Sequence, residues 1–208
     1  GMYRRELSRD WTFKTTFVAS QDKLELVLNR AIQDDPQLRG GVQNVTQFFR
    51  FIPQITGRFD DKTTTDHSLA IGRDSILVDV NGRYLKVDSD VLTHRSEVVR
   101  TWSPTNKTYL GLDNQFDLSN VKVNLPNNFD LGGVQNPFSV GDERKFNTRA
   151  RAAELGAYVR HEFRPSTESR WTLLPNFRAD HFTYTHESCL SPRFQSRFQV
   201  NPFLEWHS

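Results

Sequence analysis

The sequence predicts an all-β, antiparallel up-and-down fold with strands long enough to cross a bilayer. Three observations predict it. Apolar and polar residues alternate over long stretches, helical periodicity is nearly absent, and turn signals alternate between short and long. In Val45–Phe59, Phe49, Phe51, Ile55 and Phe59 share one parity, while Thr46, Arg50, Gln54, Thr56 and Arg58 share the other. Successive side chains of a strand point to opposite faces. One face is therefore aromatic and the other mostly polar and partly cationic.

The alternation yields about eight long strands and the start of a further one. The first covers Trp11–Leu28, with Trp11, Phe13 and Phe17 in phase and Leu24, Leu26 and Leu28 on the opposite parity. A β-bulge is the expected cause of that switch. Arg30–Asn44 carries Asp34-Asp35-Pro36 and Gly40-Gly41 and is expected to be a long loop. Val45–Phe59 follows, then a polar turn through Asp60–Asp66, then a strand over His67–Val80. Asn81-Gly82 is a hairpin signal, because a type I′ turn needs positive φ at both central residues. Strands over Tyr84–Trp102 and Thr108–Val123 flank the turn at Ser103–Lys107. Asn124–Arg149 shows no period and is expected to be a second long loop. Ala152–Arg164, Trp171–Thr185 and Pro192–Val200 are the last complete strands, and Phe203–Ser208 opens another. Several exceed about fifteen residues, where a typical strand has about five or six. A tilted strand crosses a bilayer in about nine to eleven.

Hydrophobic residues make up 36% of the 208, and mean hydropathy is −0.63. No apolar run is long enough for a membrane helix. A barrel with a wet lumen escapes that test. The formal charge of +2 comes from interspersed acids and bases, which gives nucleic-acid binding no electrostatic support. Cys189 is the single cysteine, so neither an internal disulfide nor a thiol metal cluster is available. The N-terminus lacks the apolar core of an export signal. A barrel needs such a signal, so either the chain, a single β segment over 1–208, is internal to a longer one or the barrel reading fails. Gly40–Asn44 and Gly132–Asn136 repeat the same five residues, a coincidence of turn chemistry rather than a solenoid period.

Chemistry-bearing motifs are sparse. His181, His186 and Glu187 lack the spacing of a metal motif, and histidines at strand ends explain them. His161 and Glu162 are adjacent and so face opposite sides. No Gly-x-Ser-x-Gly marks a nucleophile. No enzyme, metal or cofactor is expected. Asn44-Val-Thr46 and Asn106-Lys-Thr108 match glycosylation sequons that arise readily by chance.

Glu154-Leu-Gly-Ala-Tyr-Val-Arg-His-Glu-Phe-Arg-Pro165, Trp171-Thr-Leu-Leu-Pro-Asn-Phe-Arg-Ala-Asp-His-Phe182 and Leu190-Ser-Pro-Arg-Phe194 resemble consecutive strands of TonB-dependent outer-membrane receptors. Tyr109–Asn114 and Gly133–Phe138 are similar more loosely. The resemblance implies antiparallel up-and-down transmembrane β-barrel strands, part of a larger barrel in the bacterial outer membrane. It implies import of a scarce nutrient: siderophore-bound iron, cobalamin or carbohydrate. The partners it implies are outer-membrane lipid, the small-molecule nutrient, and the TonB complex through a plug domain outside this chain. An eight-stranded barrel closing on itself is the other geometric option.

On this reading Arg50, Arg58, Arg160 and Glu162 face the lumen. Asp34, Asp35, Asp142, Glu143 and Arg144 are loop candidates for ligand contact. Trp11, Phe59, Trp102, Phe163 and Trp171 lie beside short turns, as an interfacial girdle would. The rival is a soluble or periplasmic antiparallel β-barrel holding a small apolar ligand. It differs in one respect: Phe49, Phe51, Ile55, Val159 and Phe177 would then point into a sealed interior.

Overall fold

The computed structural model describes residues 1–28, 40–80, 82–126, 143–201 and 204–207. They form one antiparallel sheet of ten strands, each hydrogen-bonded to its sequence neighbours. The strands are β1 (Met2–Glu6), β2 (Trp11–Leu28), β3 (Gly40–Asp60), β4 (Thr63–Val80), β5 (Arg83–Ser103), β6 (Asn106–Pro126), β7 (Glu143–Phe163), β8 (Trp171–Phe182), β9 (Glu187–Asn201) and β10 (Leu204–His207). β1 and β10 are not paired with each other, so the eight-stranded closed option does not describe this wall.

The strands outrun their predicted limits. β1 adds an element that the alternation did not mark. Gly40–Asn44, Asn124–Pro126 and Glu143–Arg149, expected in loops, are strand residues. Ladder hydrogen bonds need only backbone, so pairing continues after the side-chain pattern has faded. The bulge expected between Phe17 and Leu24 is also absent. β2 and β3 pair without interruption from Trp11↔Gly57 to Leu28↔Gly40. Leu24 and Leu26 therefore lie on the opposite face from Phe17. The register shifts that do occur on β3 and β5 lie at the short turns, between Arg58 and Asp60 and between Thr101 and Ser103. Gly82 closes the β4–β5 hairpin at φ 83°, a region open to glycine and costly for most other residues. Asn81 lies outside the described residues.

Register assigns each side chain to a face. Trp11↔Gly57↔Thr65↔Val98↔Leu110↔Val159↔Phe177↔Pro192 is one continuous cross-strand row. Its face, here the Phe51 face, also carries Phe13, Phe17, Phe49, Ile71, Leu112, Phe116, Leu155 and Phe194. The opposite, Arg50 face carries Arg58, Asp66, Glu97, Asp113, Tyr158, Arg178 and Asp180.

Burial runs opposite to that of a soluble sandwich. Large apolar side chains of the Phe51 face stand open, with Phe51 45% and Leu110 56% exposed. The two buried hydrophobic side chains among the described residues, Val91 (7%) and Leu174 (2%), belong to the Arg50 face. A sealed apolar calyx would reverse this. Phe49, Val159 and Phe177 are exposed like Phe51, and Ile55 is half-buried, so no sealed interior holds these five.

The open apolar residues form a band with two parallel edges. Aromatics mark the short-turn edge: Trp11 with Phe59 (centroids 5.1 Å apart, nearly perpendicular), Trp102, Phe163, and Trp171 with Phe198 (4.7 Å). Against the row that starts at Trp11, this edge slips from Phe177 back to Trp171, six residues along β8. Six residues are about 20 Å along the strand, and the six steps from β2 to β8 are about 29 Å across, so the edge slopes by about 35°. The far edge, from Gln21 on β2 to His181 on β8, slopes alike, because each lies ten residues from its Trp. Ten residues inclined at that angle rise about 27 Å. Strands of outer-membrane barrels tilt about 35–45°, and their apolar band is about 25 Å tall.

Candidate functional site: the charged wall

The Arg50 face divides along the strands. Its short-turn half carries two adjoining polar clusters across β5 to β8. Tyr158 Oη donates to Glu97 Oε2 at 2.6 Å, passing over the intervening β6. Arg160 lies 3.9 Å from the same carboxylate and stacks 4.0 Å above the Tyr109 ring. Tyr109 Oη donates to Glu162 at 3.2 Å. Arg178 reaches Asp180 at 2.7 Å and, across β7, Asp113 at 3.3 Å. Arg95 approaches Asp113 at 3.4 Å.

Two glycines make the second-neighbour contacts possible. A Cβ at Gly111 would overlap the Tyr158 ring, and one at Gly156 would meet the Arg178 guanidinium at 2.7 Å. Without a side chain there, each long residue lies flat over β6 or β7 and reaches the strand beyond. Beside these clusters, Gln54 Nε2 donates to both oxygens of Asp66 at 2.8–2.9 Å. Gln54, Asp66, Ser68, Arg95, Glu97 and Tyr158 line one depression. Its chemistry is that of a wet, mixed-charge wall. It suits hydroxyl-rich or charged groups and, with its ion pairs closed on themselves, offers no activated nucleophile.

Toward the long-loop end the same face turns apolar. Leu24↔Asn44↔Val78↔Leu85↔Val123↔Phe146 forms one cross-strand row, and Ile76, Val87 and Val121 form its neighbour. Leu24, Val78, Leu85 and Phe146 are exposed. The Phe51 face becomes charged at this height, with Lys23, Glu25, Lys86, Asp88 and Lys122. The wall thus inverts its polarity with no break in register, which is the cause of the parity change seen at Leu24.

One polar string crosses the apolar band. Asn114 Nδ2 lies 3.3 Å from His94 Nδ1, His94 Nε2 2.7 Å from Ser96 Oγ, Ser96 Oγ 2.8 Å from His67 Nδ1, and His67 Nε2 2.6 Å from Thr65 Oγ1. Thr65 donates to the Glu97 carbonyl at 3.1 Å. That last bond uses the Thr65 proton, so His67 Nε2 must donate to Thr65. Ser96 then donates to His67, His94 Nε2 donates to Ser96, and Asn114 donates to His94. That one assignment gives every group in the string a partner. This is what an apolar surround requires of buried or lipid-facing polar atoms.

At the short-turn margin, Asp60 accepts from the Lys62 N–H at 2.7 Å, from Thr63 and from Arg100. Chiefly the Lys62 N–H bond holds its carboxyl below the ordinary value, with the Arg100 and Thr63 bonds helping against desolvation.

Of the residues singled out in the sequence, Arg50, Arg58, Arg160 and Glu162 share the Arg50 face. Arg50 pairs with Asp74 at 2.7 Å and Arg58 with Asp10 at 2.6 Å. Glu143 and Arg144, expected in a loop, pair with Pro126 and Leu125 in the ladder. Asp34, Asp35 and Asp142 lie outside the described residues. His181 bonds Ser188 at 2.9 Å, and no group of metal-ligating side chains forms among the described residues. Sequence reasoning missed Glu97, Asp113, Arg178 and Asp180, together with the histidine string. Gly111 and Gly156 were the available signal, since a glycine inside a strand marks a close approach.

No family model matches the sequence, and no curated protein matches it. Among solved structures, the ferric-catecholate import receptor Fiu from E. coli K12 superposes with a TM-score of 0.70 at 9% identity. The match covers 96% of this chain and 37% of the receptor. The outer membrane transporter YddB from Escherichia coli covers 96% of this chain and 35% of its own at 11% identity, with a TM-score of 0.39 too low to carry an argument. The chain therefore spans little more than a third of the receptor it matches. At 9% identity the likeness establishes the fold: one antiparallel up-and-down sheet like the wall of an outer-membrane barrel.

Proposed function

We propose that this chain is wall and outer rim of a TonB-dependent outer-membrane receptor that imports a scarce nutrient. The carrying observation is the sloping band of open apolar side chains, bounded by aromatics at one edge and backed by a charged, half-buried opposite face. Hydrocarbon tails satisfy the Phe51 face, and the Arg50 face lines the lumen. Arg50, Arg58, Arg160 and Glu162 are then lumen groups that meet water, the plug domain or passing ligand. Asp34 and Asp35 fall in sequence between β2 and β3, Asp142 immediately before β7, and Glu143 and Arg144 at its start; their role on this reading is contact with a nutrient arriving from outside. The unpaired edges of β1 and β10 join further strands of a larger barrel, since an open edge in hydrocarbon costs several kcal/mol per unsatisfied backbone group. Siderophore-bound iron, cobalamin and carbohydrate are the nutrient classes, and the TonB complex acts through the plug domain.

The test is uptake in cells carrying the intact protein, with radiolabelled ferric siderophores, cobalamin and oligosaccharides offered in turn. One of them should accumulate, and accumulation should stop when TonB is removed. Uptake that persists without TonB, or fractionation of the protein away from the outer membrane, overturns the proposal.

A further inference from the structure

We infer that the Phe51 face of β6 and β7, just beyond the apolar band on the long-loop side, seats phosphomonoester head groups of membrane lipid. The inference rests on the transmembrane reading above.

Cations elsewhere at this height are neutralised on their own face. Lys23 pairs with Glu25 at 2.7 Å, Arg73 with Asp90 at 3.8 Å, and Lys86 with Asp88 at 3.3 Å. The β6–β7 sector breaks the pattern. Arg151 stands opposite Leu118, Arg149 opposite Asn120, and Lys122 opposite Asn147. These three cations share one face, within four residues along the strands, or about 13 Å. Across β6–β7 their partners are neutral, and on the β5 side Lys122 faces a further cation, Lys86. Asp88 and Asp90, the nearest carboxylates on the adjoining strand, are engaged by Lys86 and Arg73. Among the described residues, Lys122, Arg149 and Arg151 make no ion pair, and both arginines are exposed.

Three like charges held together attract an anion from outside the chain. Position decides which. Directly below Arg151 the face is Leu118, Phe116 and Ala153, the upper part of the band. The anion therefore belongs to a molecule whose apolar portion lies against those residues while its charge lies above them, which is a lipid. Arginine forks match phosphate oxygens bidentately. A phosphomonoester, carrying more than one charge, neutralises a cluster of three better than a diester does.

The test places the intact protein in vesicles of phosphatidylcholine doped with equal amounts of phosphatidic acid and phosphatidylglycerol. Lipid that stays bound after detergent extraction is identified by mass spectrometry. Phosphatidic acid should be retained preferentially. Each surface cation contributes about fivefold to holding an anionic lipid, so Arg149→Ala/Arg151→Ala should cut the retained phosphatidic acid by roughly thirtyfold and remove its preference over phosphatidylglycerol, while Arg73→Ala should leave that preference unchanged. Protease protection scores insertion separately. Normal insertion with an undiminished preference in the double variant overturns the inference and leaves the transmembrane reading standing. So does an equal loss in Arg73→Ala, which would reduce the effect to overall charge. Failure of the unmutated protein to insert overturns both.

Discussion

The two halves of the Arg50 face are built by opposite means on one uninterrupted sheet. Near the short turns, Tyr109, Tyr158, Arg160 and Arg178 cross-link carboxylates on three strands, and each charge has a partner. Near the long loops, Leu24, Val78, Leu85 and Phe146 stand open on the same face, with none of the described residues covering them. Within the apolar band the Arg50 face carries the charge and closes it upon itself. Beyond the band polarity exchanges sides. Which parity is apolar thus changes with height along the strands, while the backbone ladder passes through both zones unchanged.

The comparison breaks most visibly at the band. Phe51→Arg should cost about 2–4 kcal/mol of folding free energy in a bilayer, the value for arginine near the midplane of a barrel. Leu24→Arg, beyond the band, should cost under about 0.5 kcal/mol, as surface changes do. Urea titration of vesicle-inserted protein reads both, and equal costs would dismiss the zone boundary.

The charged half can be loosened from within. Gly111→Val drives a side chain into the Tyr158 ring and pulls its hydroxyl off Glu97. Overpacking contributes about 1–3 kcal/mol, and the orphaned pair adds about 1 kcal/mol more. A variant as stable as the parent in the same titration would show that Tyr158 is not held over Gly111.

Ser96→Ala removes the central link of the histidine string, leaving one acceptor and one donor without partners inside the band. The expected loss is about 1–3 kcal/mol, with the imidazole ¹⁵N shifts of His67 and His94 moving together. Independent shifts would mean that the two rings are not coupled through Ser96.

The smallest effect belongs to the β3–β4 turn. Asp60 is held below its ordinary value in the folded state, so its contribution is complete above the unfolded carboxyl value of about 4. It is lost as pH falls through the lower, folded value. The protection of the Lys62 amide against hydrogen exchange, taken relative to the intrinsic rate at each pH, should therefore fall on acidification below about pH 4, and Asp60→Asn should lower it already at neutral pH. Exchange that ignores both changes would remove Asp60 from the turn's support.

Much of the wall was legible beforehand because a period of two survives any tertiary context. The positions of Phe49, Phe51, Arg50, Val159 and Phe177 on their faces followed from parity alone. So did the aromatic edge, since Trp11, Phe59, Trp102 and Trp171 sit beside turns marked by Asp, Pro and Ser. Loop limits were less legible: Gly40–Asn44 and Glu143–Arg149 carry no apolar alternation, yet their backbones still pair. The bulge expected before Leu24 came from assuming that one face stays apolar along a whole strand, which fails where the strand leaves the band.

The sequence by itself determined face assignment and the order of up-and-down connections, because alternation and turn chemistry act between near neighbours. Register across ten strands determined the rest. It alone could bring Tyr158 over Gly111 to Glu97, line up His94, Ser96 and His67, and gather Lys122, Arg149 and Arg151 on one patch. Such contacts join residues on different strands, up to 61 positions apart for Tyr158 and Glu97, and a shift of one residue would send each partner to the opposite face.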